Sequence, residues 1–419
     1  MKILLIHQNF PGQFRHLTRA LMQDKTNEFV TVGREGCPGM AGLSTFSYKI
    51  PERDVSQTHP YVLPLQSGVI AGQAVFRLAS RLRQDGFVPD VVLAHPGWGE
   101  TLYIREVFPE AALVHFCEYY YQPTGQDAGF DPEFPVKADD RARIITKNAL
   151  QLLVLEQCDL GITSTAWQRD LFPERYRSKI TVAHEGIDTA SLAPRPGASF
   201  TLPNGRILRP GDPVVTYVAR NLEPYRGFHA FMRALPAILA ANPDCQVVIA
   251  GGDAVSYGLL PKDSSNWREH MLKEVQINMS RVHFVGVIPR ARYIDLLHVS
   301  AAHVHLSYPF VLSWSLLEAM AAGCLVIASG TAPVREVMTD GRNGVLVDFF
   351  DSAELASRVS EALTRPARFS GLRQQAAEDI RAGFDVADGV KAYRELLVQA
   401  LDHRSPTVPS PPAGPNSRR

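Results

Sequence analysis

Between His303 and Asp348 the chain reads HVHLSYPFVLSWSLLEAMAAGCLVIASGTAPVREVMTDGRNGVLVD, and this stretch constrains the fold more than any other. HVHLS has the composition of a buried strand, and an apolar loop around Pro309 follows it. A helix opens near Ser315, with Leu316, Leu317, Met320 and Ala321 on its inner side, and closes at Gly323. A second β-run, CLVIAS, begins at once, and a loop rich in Gly, Pro and Asn leads to a third, GVLVD. Strand, loop, helix, strand is the grammar of an open parallel sheet, which binds ligands at the carboxyl ends of its strands. Glu318 is placed in the first turn of the helix. There Ser315-Leu-Leu-Glu318 matches a capping box whose glutamate satisfies a backbone donor, so cap and ligand are both open to it.

A chain of 419 residues exceeds one ordinary core and points to two domains. Acidic and basic residues balance at 43 each, which argues against bulk nucleic-acid binding. Five cysteines, at 37, 117, 158, 245 and 324, form neither C-x-x-C nor a metal-ligand cluster, and a reducing cytoplasm is the simplest setting. MKILLIHQNF is too short in its apolar part for a signal peptide, and no run approaches a membrane span. Membrane association, if any, is peripheral.

Lys2 to Ile6 reads as a first buried strand leading into a loop with a single glycine, Gly12, open to a turn or to close ligand approach. G-x-G-x-x-G is missing, which counts against a dinucleotide oxidoreductase. Later strands end at His95-Pro-Gly-Trp-Gly-Glu100 and at Cys117-Glu118-Tyr119-Tyr120-Tyr121. His95 and Glu100 are therefore candidates at a strand's carboxyl end, His95 either orienting a hydroxyl and moving a proton or capping the strand. Glu118 is open to a base, a sugar ligand or a surface carboxylate, and the tyrosines either stack on a sugar or pack. Arg141, Arg143 and Lys147 near the start of the helix at 139–157 suit either anionic lipid or a solvated face. Residues 193–213 are rich in Pro and Gly, lack periodicity and read as a linker. Beyond them Val214 to Val218 starts a new strand series, followed by Arg220, Arg226 and Gly227 before a helix. Two cations at the mouth of a strand can bracket a diphosphate.

Glu318-Ala-Met-Ala-Ala-Gly323, CLVIAS, Val334-Arg-Glu-Val337 and Gly341-Arg-Asn-Gly344 together resemble the donor-binding motif of the family-4 retaining glycosyltransferases of the GT-B fold. Arg220, Arg226 and Gly227 resemble that family's second signature, and His184-Glu-Gly-Ile-Asp188 its interdomain boundary, with Glu185 where asparagine is common. The resemblance implies an α/β chain of GT-B architecture, two Rossmann-like doubly wound domains facing a cleft. Residues 1–192 would be an acceptor-binding domain, 193–213 the linker and 214–384 the nucleotide-sugar-binding domain. Residues 385–403 would be a helix crossing back to the first domain, and 404–419 a disordered tail.

It also implies retaining, metal-independent transfer from a nucleoside diphosphate sugar, UDP or GDP, to a glycan or lipid-linked glycan, with no cofactor and no nucleic-acid partner. Surface polysaccharide assembly at the inner face of the membrane would be the setting. Glu318 would hold the ribose, with Ser313, Ser315 and Leu316 at the helix N-terminus facing the diphosphate beside Arg220 and Arg226. The backbone at Val287 and Ile288 would flank the base, the loop of Gly12 would cover the phosphates, and His95 and Glu118 would face the sugar. One departure stands out: the family's first glutamate, eight residues before the second, is Phe310 here. YPFVLSWSLLEAM resembles a distinct branch of the family in which this departure is the normal form; otherwise Phe310 motivates a catalytically silent subunit that binds a nucleotide sugar or glycan and supports a partner transferase, and a nucleotide-sugar epimerase is the third alternative.

Overall fold

The computed structural model describes residues 1–52 and 54–404, so the expected tail beyond Arg404 lies outside the described residues. Seven strands form the first sheet: β1 (Lys2–Ile6), β2 (Glu28–Arg34), β3 (Thr45–Tyr48), β4 (Val91–Ala94), β5 (Ala112–Phe116), β6 (Leu160–Thr163) and β7 (Ile180–Val182). They run in the order β3-β2-β1-β4-β5-β6-β7, every pair parallel. The central strands are buried along their whole length, as both faces of the sheet carry helices.

A short antiparallel hairpin of β8 (Phe200–Thr201) and β9 (Ile207–Leu208) comes next, inside the segment expected to be an irregular linker. Phe200, Leu202 and Leu208 are buried against Val214, Val248 and Leu296, and the Pro203-Asn204-Gly205 turn joins strands too short to show a period. The second sheet repeats the first in β12-β11-β10-β13-β14-β15 order, again parallel throughout. Its strands are β10 (Val214–Asn221), β11 (Gln246–Gly252), β12 (Val282–Gly286), β13 (Ala302–His305), β14 (Val326–Ser329) and β15 (Val345–Val347). In each sheet the chain reverses its direction of winding next to the first strand, between β1 and β4 and between β10 and β13. Those two reversals open crevices at the carboxyl ends, where ligands bind in such sheets.

Two segments cross between the halves. The last helix, Val386–Arg404, inserts Tyr393, Leu396, Leu397 and Ala400 into the core of the first sheet beside Ile3, Leu5 and Phe14. In the opposite sense, the segment between β5 and the helix Ala138–Gln157 reaches the second sheet. Phe130 packs among Tyr308, Phe349 and Phe350, and Phe134 against His229 and Trp267. Asp131 accepts hydrogen bonds from His229 Nε2 at 2.8 Å and the Tyr308 hydroxyl at 2.7 Å, and Glu133 pairs with Arg233. Among the described residues no helix is long and apolar enough to cross a membrane.

Candidate active site

His7 directly follows β1 and His95 directly follows β4, so the first crevice is lined by two imidazoles whose ring centroids lie 5.2 Å apart. The backbone assigns their tautomers. The Asn9 amide donates to His7 Nδ1 at 2.9 Å and the Gly97 amide to His95 Nδ1 at 3.2 Å, which leaves the proton of each neutral ring on Nε2. His7 Nε2 meets the Gln13 Oε1 acceptor at 2.7 Å, Gln13 Nε2 donates to Glu118 Oε1 at 2.9 Å, and His95 Nε2 faces Glu118 Oε2 at 3.3 Å.

Burial above all, and then the charge of His95, lowers the His7 pKa to about 4, against the pull of Gln13 and Glu118, so this ring is neutral at physiological pH. Burial pushes the Glu118 carboxyl up, but the His95 bond and charge, then His7 and Gln13, outweigh it and hold the group below the usual carboxylate range. Glu118 is thus an ionised acceptor, suited to sugar hydroxyls or positive charge and unsuited to donating a proton. Gly12, at φ 49°, lies against the His7 ring so closely that a Cβ there would stand 2.3 Å from Nε2. The loop's turn and the imidazole's position require the same glycine.

At the second crevice β10 delivers Arg220, and a 3-10 turn, Pro224–Arg226, delivers Arg226. Among the described residues neither guanidinium has a carboxylate partner; Arg226 lies over the Tyr257 ring, 5.3 Å from its centroid. Gly227 then starts the helix Phe228–Ala241 at φ 68°, and a Cβ on it would fall 2.2 Å from Leu306 Cβ. Gly227→Ala is expected to destabilise the fold by about 2–5 kcal/mol through backbone strain and overpacking, read as a lower denaturation midpoint. Glu223, fully buried, accepts from the amides of Ser256, Tyr257 and Gly258 at 3.0–3.1 Å, which fixes the loop that carries Ser256 and Tyr257.

One cavity of about 280 Å³ joins the two crevices. His95, Glu118 and Arg220 face it, and Trp98, Tyr257 and Phe310 are among its aromatic walls. Phe310 is buried, its ring 4.5 Å from that of Tyr119 and 4.8 Å from that of Tyr257, and Trp98 stacks on His95 at 4.4 Å. A polar end with a carboxylate and a cation, inside aromatic walls, matches the two surfaces of a sugar ring.

The helix Trp314–Ala321 begins one residue before the expected position, with Ser313 at its cap. Glu318 therefore sits in its second turn, and the Ser315 capping box does not form. Ser315 Oγ bonds Ser313 Oγ at 2.9 Å, and Glu318 pairs with Arg290. Leu316 is fully buried in the core, so only its backbone can serve a ligand. Val287, 79% exposed, and the adjacent Ile288 stand at the end of β12.

Two profiles of known families match this chain, the glycosyl transferase family 4 group over residues 25–192 and the glycosyl transferases group 1 over residues 203–382. The chain belongs to the family-4 glycosyltransferases. Glycogen synthase of Mycobacterium tuberculosis is 27% identical to this glycosyltransferase over 341 residues, 78% of this chain and 74% of the relative. D-inositol 3-phosphate glycosyltransferase of Rhodococcus opacus is 26% identical over 275 residues, 62% of this chain and 58% of the relative. Among solved structures, sucrose-phosphate synthase from Thermosynechococcus elongatus superposes with a TM-score of 0.71 at 19% identity, covering 96% of this chain and all of that one. HepE from Anabaena, in complex with UDP-glucose, gives 0.67 at 18% identity, covering 95% of this chain and all of that one. These likenesses establish the GT-B fold.

The sites expected from the sequence fall into groups on this glycosyltransferase. His95, Glu118, Arg220 and Phe310 meet in the cavity, while Arg226, Ser313, Ser315, Glu318, Val287 and Ile288 lie outside it. Glu100, expected beside His95, is a buried acceptor for the Tyr48 hydroxyl at 2.6 Å, its carboxyl pushed up chiefly by burial, and it does not reach the cavity. Lys147 lies over the Tyr121 ring rather than on an open basic face, and burial lowers its amine to about 8. The structure also brings Asp131, Glu133 and His229 together, with one ligating atom of each within 4.8 Å of the others, although no carboxylate-rich metal site was expected. Tyr308 and Arg233 already engage those carboxylates. His7, Gln13, Glu223 and Arg290 are the site residues that sequence reasoning missed. Of these only His7 carried a signal, its place directly after the first buried strand.

Proposed function

We propose that this glycosyltransferase moves a sugar, with retention of anomeric configuration, from a nucleoside diphosphate sugar to a hydroxyl of a glycan or lipid-linked glycan. The observation that carries the reading is the pair Arg220 and Arg226, two guanidiniums without carboxylate partners among the described residues, at the carboxyl end of β10 beside the crevice. Such cations await an anion. Bidentate donors fit a diphosphate, and the amides at the start of the Trp314–Ala321 helix, with Ser313 and Ser315, add to them. Glu318 would take the ribose, the main chain at Val287 and Ile288 the base, and the loop of Gly12 would close over the phosphates. UDP is the favoured nucleotide because the HepE complexes hold UDP-glucose or UDP; GDP is the other.

As the glycosidic bond breaks, negative charge gathers on the diphosphate, where Arg220, Arg226 and the helix N-terminus stabilise it. The acceptor's proton passes to a departing phosphate oxygen, so neither a protein base nor a metal is called for. Glu118, ionised and held by His95 and Gln13, accepts sugar hydroxyls and offsets positive charge at the anomeric carbon. Polysaccharide assembly at the cytoplasmic face of a membrane would supply such acceptors.

Phe310 keeps the silent-subunit reading in view, because a buried aromatic stands where a carboxylate was expected. The test for both is a panel of UDP-, GDP-, ADP- and TDP-sugars, followed by thermal shift and by nucleoside diphosphate release. A ligand at a hundred times its dissociation constant adds about 2.7 kcal/mol of stability. One nucleotide sugar is expected to stabilise the wild type and release diphosphate, and Glu318→Ala to weaken its binding about 10- to 100-fold through loss of the charged acceptor. Stabilisation without release, whatever the acceptor, moves the function to the silent subunit. No response to any nucleotide removes the donor site.

A further inference from the structure

Arg290 opens the helix Arg290–His298, two residues after Ile288, and its guanidinium is paired with the Glu318 carboxylate. The two partners are unequally covered: the Glu318 side chain is 10% exposed and that of Arg290 50%. Arg290 also lies over the Tyr293 ring, 5.7 Å from its centroid. Across the cleft its charge reaches His16, in the helix Arg15–Met22, whose imidazole is depressed first by burial, then by Arg19, and further by Arg15 and Arg290 against the pull of Asp188. The guanidinium therefore stands at the cleft, between the main chain at the end of β12 and the carboxylate on the Trp314–Ala321 helix.

A carboxylate offers only acceptors and a guanidinium only donors, whereas each hydroxyl of a ribose is both. Glu318 alone would take the protons of a cis-diol and leave the hydroxyl oxygens without donors. Its pairing with Arg290 supplies both halves at one point: one N–H goes to the carboxylate and the other guanidinium N–H groups stay on the half-exposed side. Resting on the reading that Glu318 receives the donor's ribose, we propose that Arg290 and Glu318 together read the 2′,3′-diol, and that Arg290 makes the site select ribonucleotide donors over 2′-deoxyribonucleotide ones. A site built to bond a hydroxyl rejects the analogue that lacks it, because its own polar groups are left unpaired.

The experiment is titration calorimetry of the full chain with UDP, 2′-deoxy-UDP, GDP and 2′-deoxy-GDP, on wild type, Arg290→Ala, Arg290→Lys and Glu318→Ala. The wild type should prefer the ribonucleotide by about 30-fold or more. Arg290→Ala should weaken ribonucleotide binding about 10-fold and change 2′-deoxyribonucleotide binding little, which reduces the preference to about 3-fold or less. Arg290→Lys, a point charge without the planar fork, should fall between them. An unchanged preference in Arg290→Ala, or no preference in the wild type, overturns the assignment while Glu318 keeps its role. If neither UDP nor GDP binds the wild type, or if Glu318→Ala binds like the wild type, the donor-site reading itself falls and takes this assignment with it.

Discussion

Arg220→Ala is expected to lower kcat/KM for sugar transfer by about 10²–10³-fold, the loss typical when one donor to transition-state charge is removed. The size follows from where the residue stands. It faces the cavity that also holds Glu118 and Phe310, and among the described residues no carboxylate competes for its guanidinium. Charge on the diphosphate grows as the glycosidic bond breaks, so the loss should fall mainly on kcat, with a smaller rise in KM. Arg220→Lys should recover part of the rate, because a point charge replaces a bidentate donor. Initial-rate kinetics over a range of donor concentrations separates the two parameters. A loss below tenfold in Arg220→Ala would remove this residue from the charge-stabilising set.

Asp131→Ala is the substitution expected to cost most in stability, about 3–5 kcal/mol at neutral pH, because two buried donors, on His229 and Tyr308, lose their acceptor at about 1–3 kcal/mol each. The carboxylate is 1% exposed, His229 is 2% exposed, and the His229 ring and the Tyr308 hydroxyl both point at it. Without it both would be buried with that bond unmade. Burial pushes the Asp131 carboxyl up, yet the bonds from His229, the Glu133 amide and Tyr308 outweigh this and hold it below the usual carboxylate range. The folded value being the lower one, the contribution is complete above the unfolded value, about pH 4, and disappears as pH falls through the folded one. Denaturant midpoints of wild type and Asp131→Ala should therefore lie far apart at pH 7 and converge below pH 4. A constant gap would mean that the carboxylate's charge contributes nothing.

The parallel sheets were legible wherever apolar runs met turn residues. Lys2–Ile6, Val91–Ala94 and the run into Val326–Ser329 are buried on both faces, and continuous Val, Ile and Leu declare that. The hairpin within 193–213 was not legible, because two-residue strands carry no period and only Phe200 and Leu208 mark its inner face. Helix starts slipped by a residue or so, enough that Ser315-Leu-Leu-Glu318 lies inside the helix instead of capping it and Glu318 falls in the second turn.

At the site, the sequence pointed to residues at strand ends, since position in a parallel sheet alone makes Arg220 and His95 prominent. Partnerships could not be read. Glu223 bonds amides more than thirty residues away, and Arg290 finds Glu318 on a different helix, so neither spacing nor composition marks them. The aromatic surroundings of Phe310 were hidden for the same reason, with Tyr119 arriving from the first half and Tyr257 from a different loop of the second.

The crossing of Phe130 and Phe134 in one direction and of Tyr393 and Leu397 in the other bears on how such chains can be recombined. A splice near residue 213 is the obvious place to graft a new first half onto an old second half. Yet it would strip Phe130 from its place against Phe349 and Phe350, and would send the final helix to dock on a foreign sheet. A working hybrid has to keep the 127–134 segment with the second sheet it serves and exchange the last helix together with the first sheet. The first half of this architecture is inherited in three pieces, two of them far from the splice.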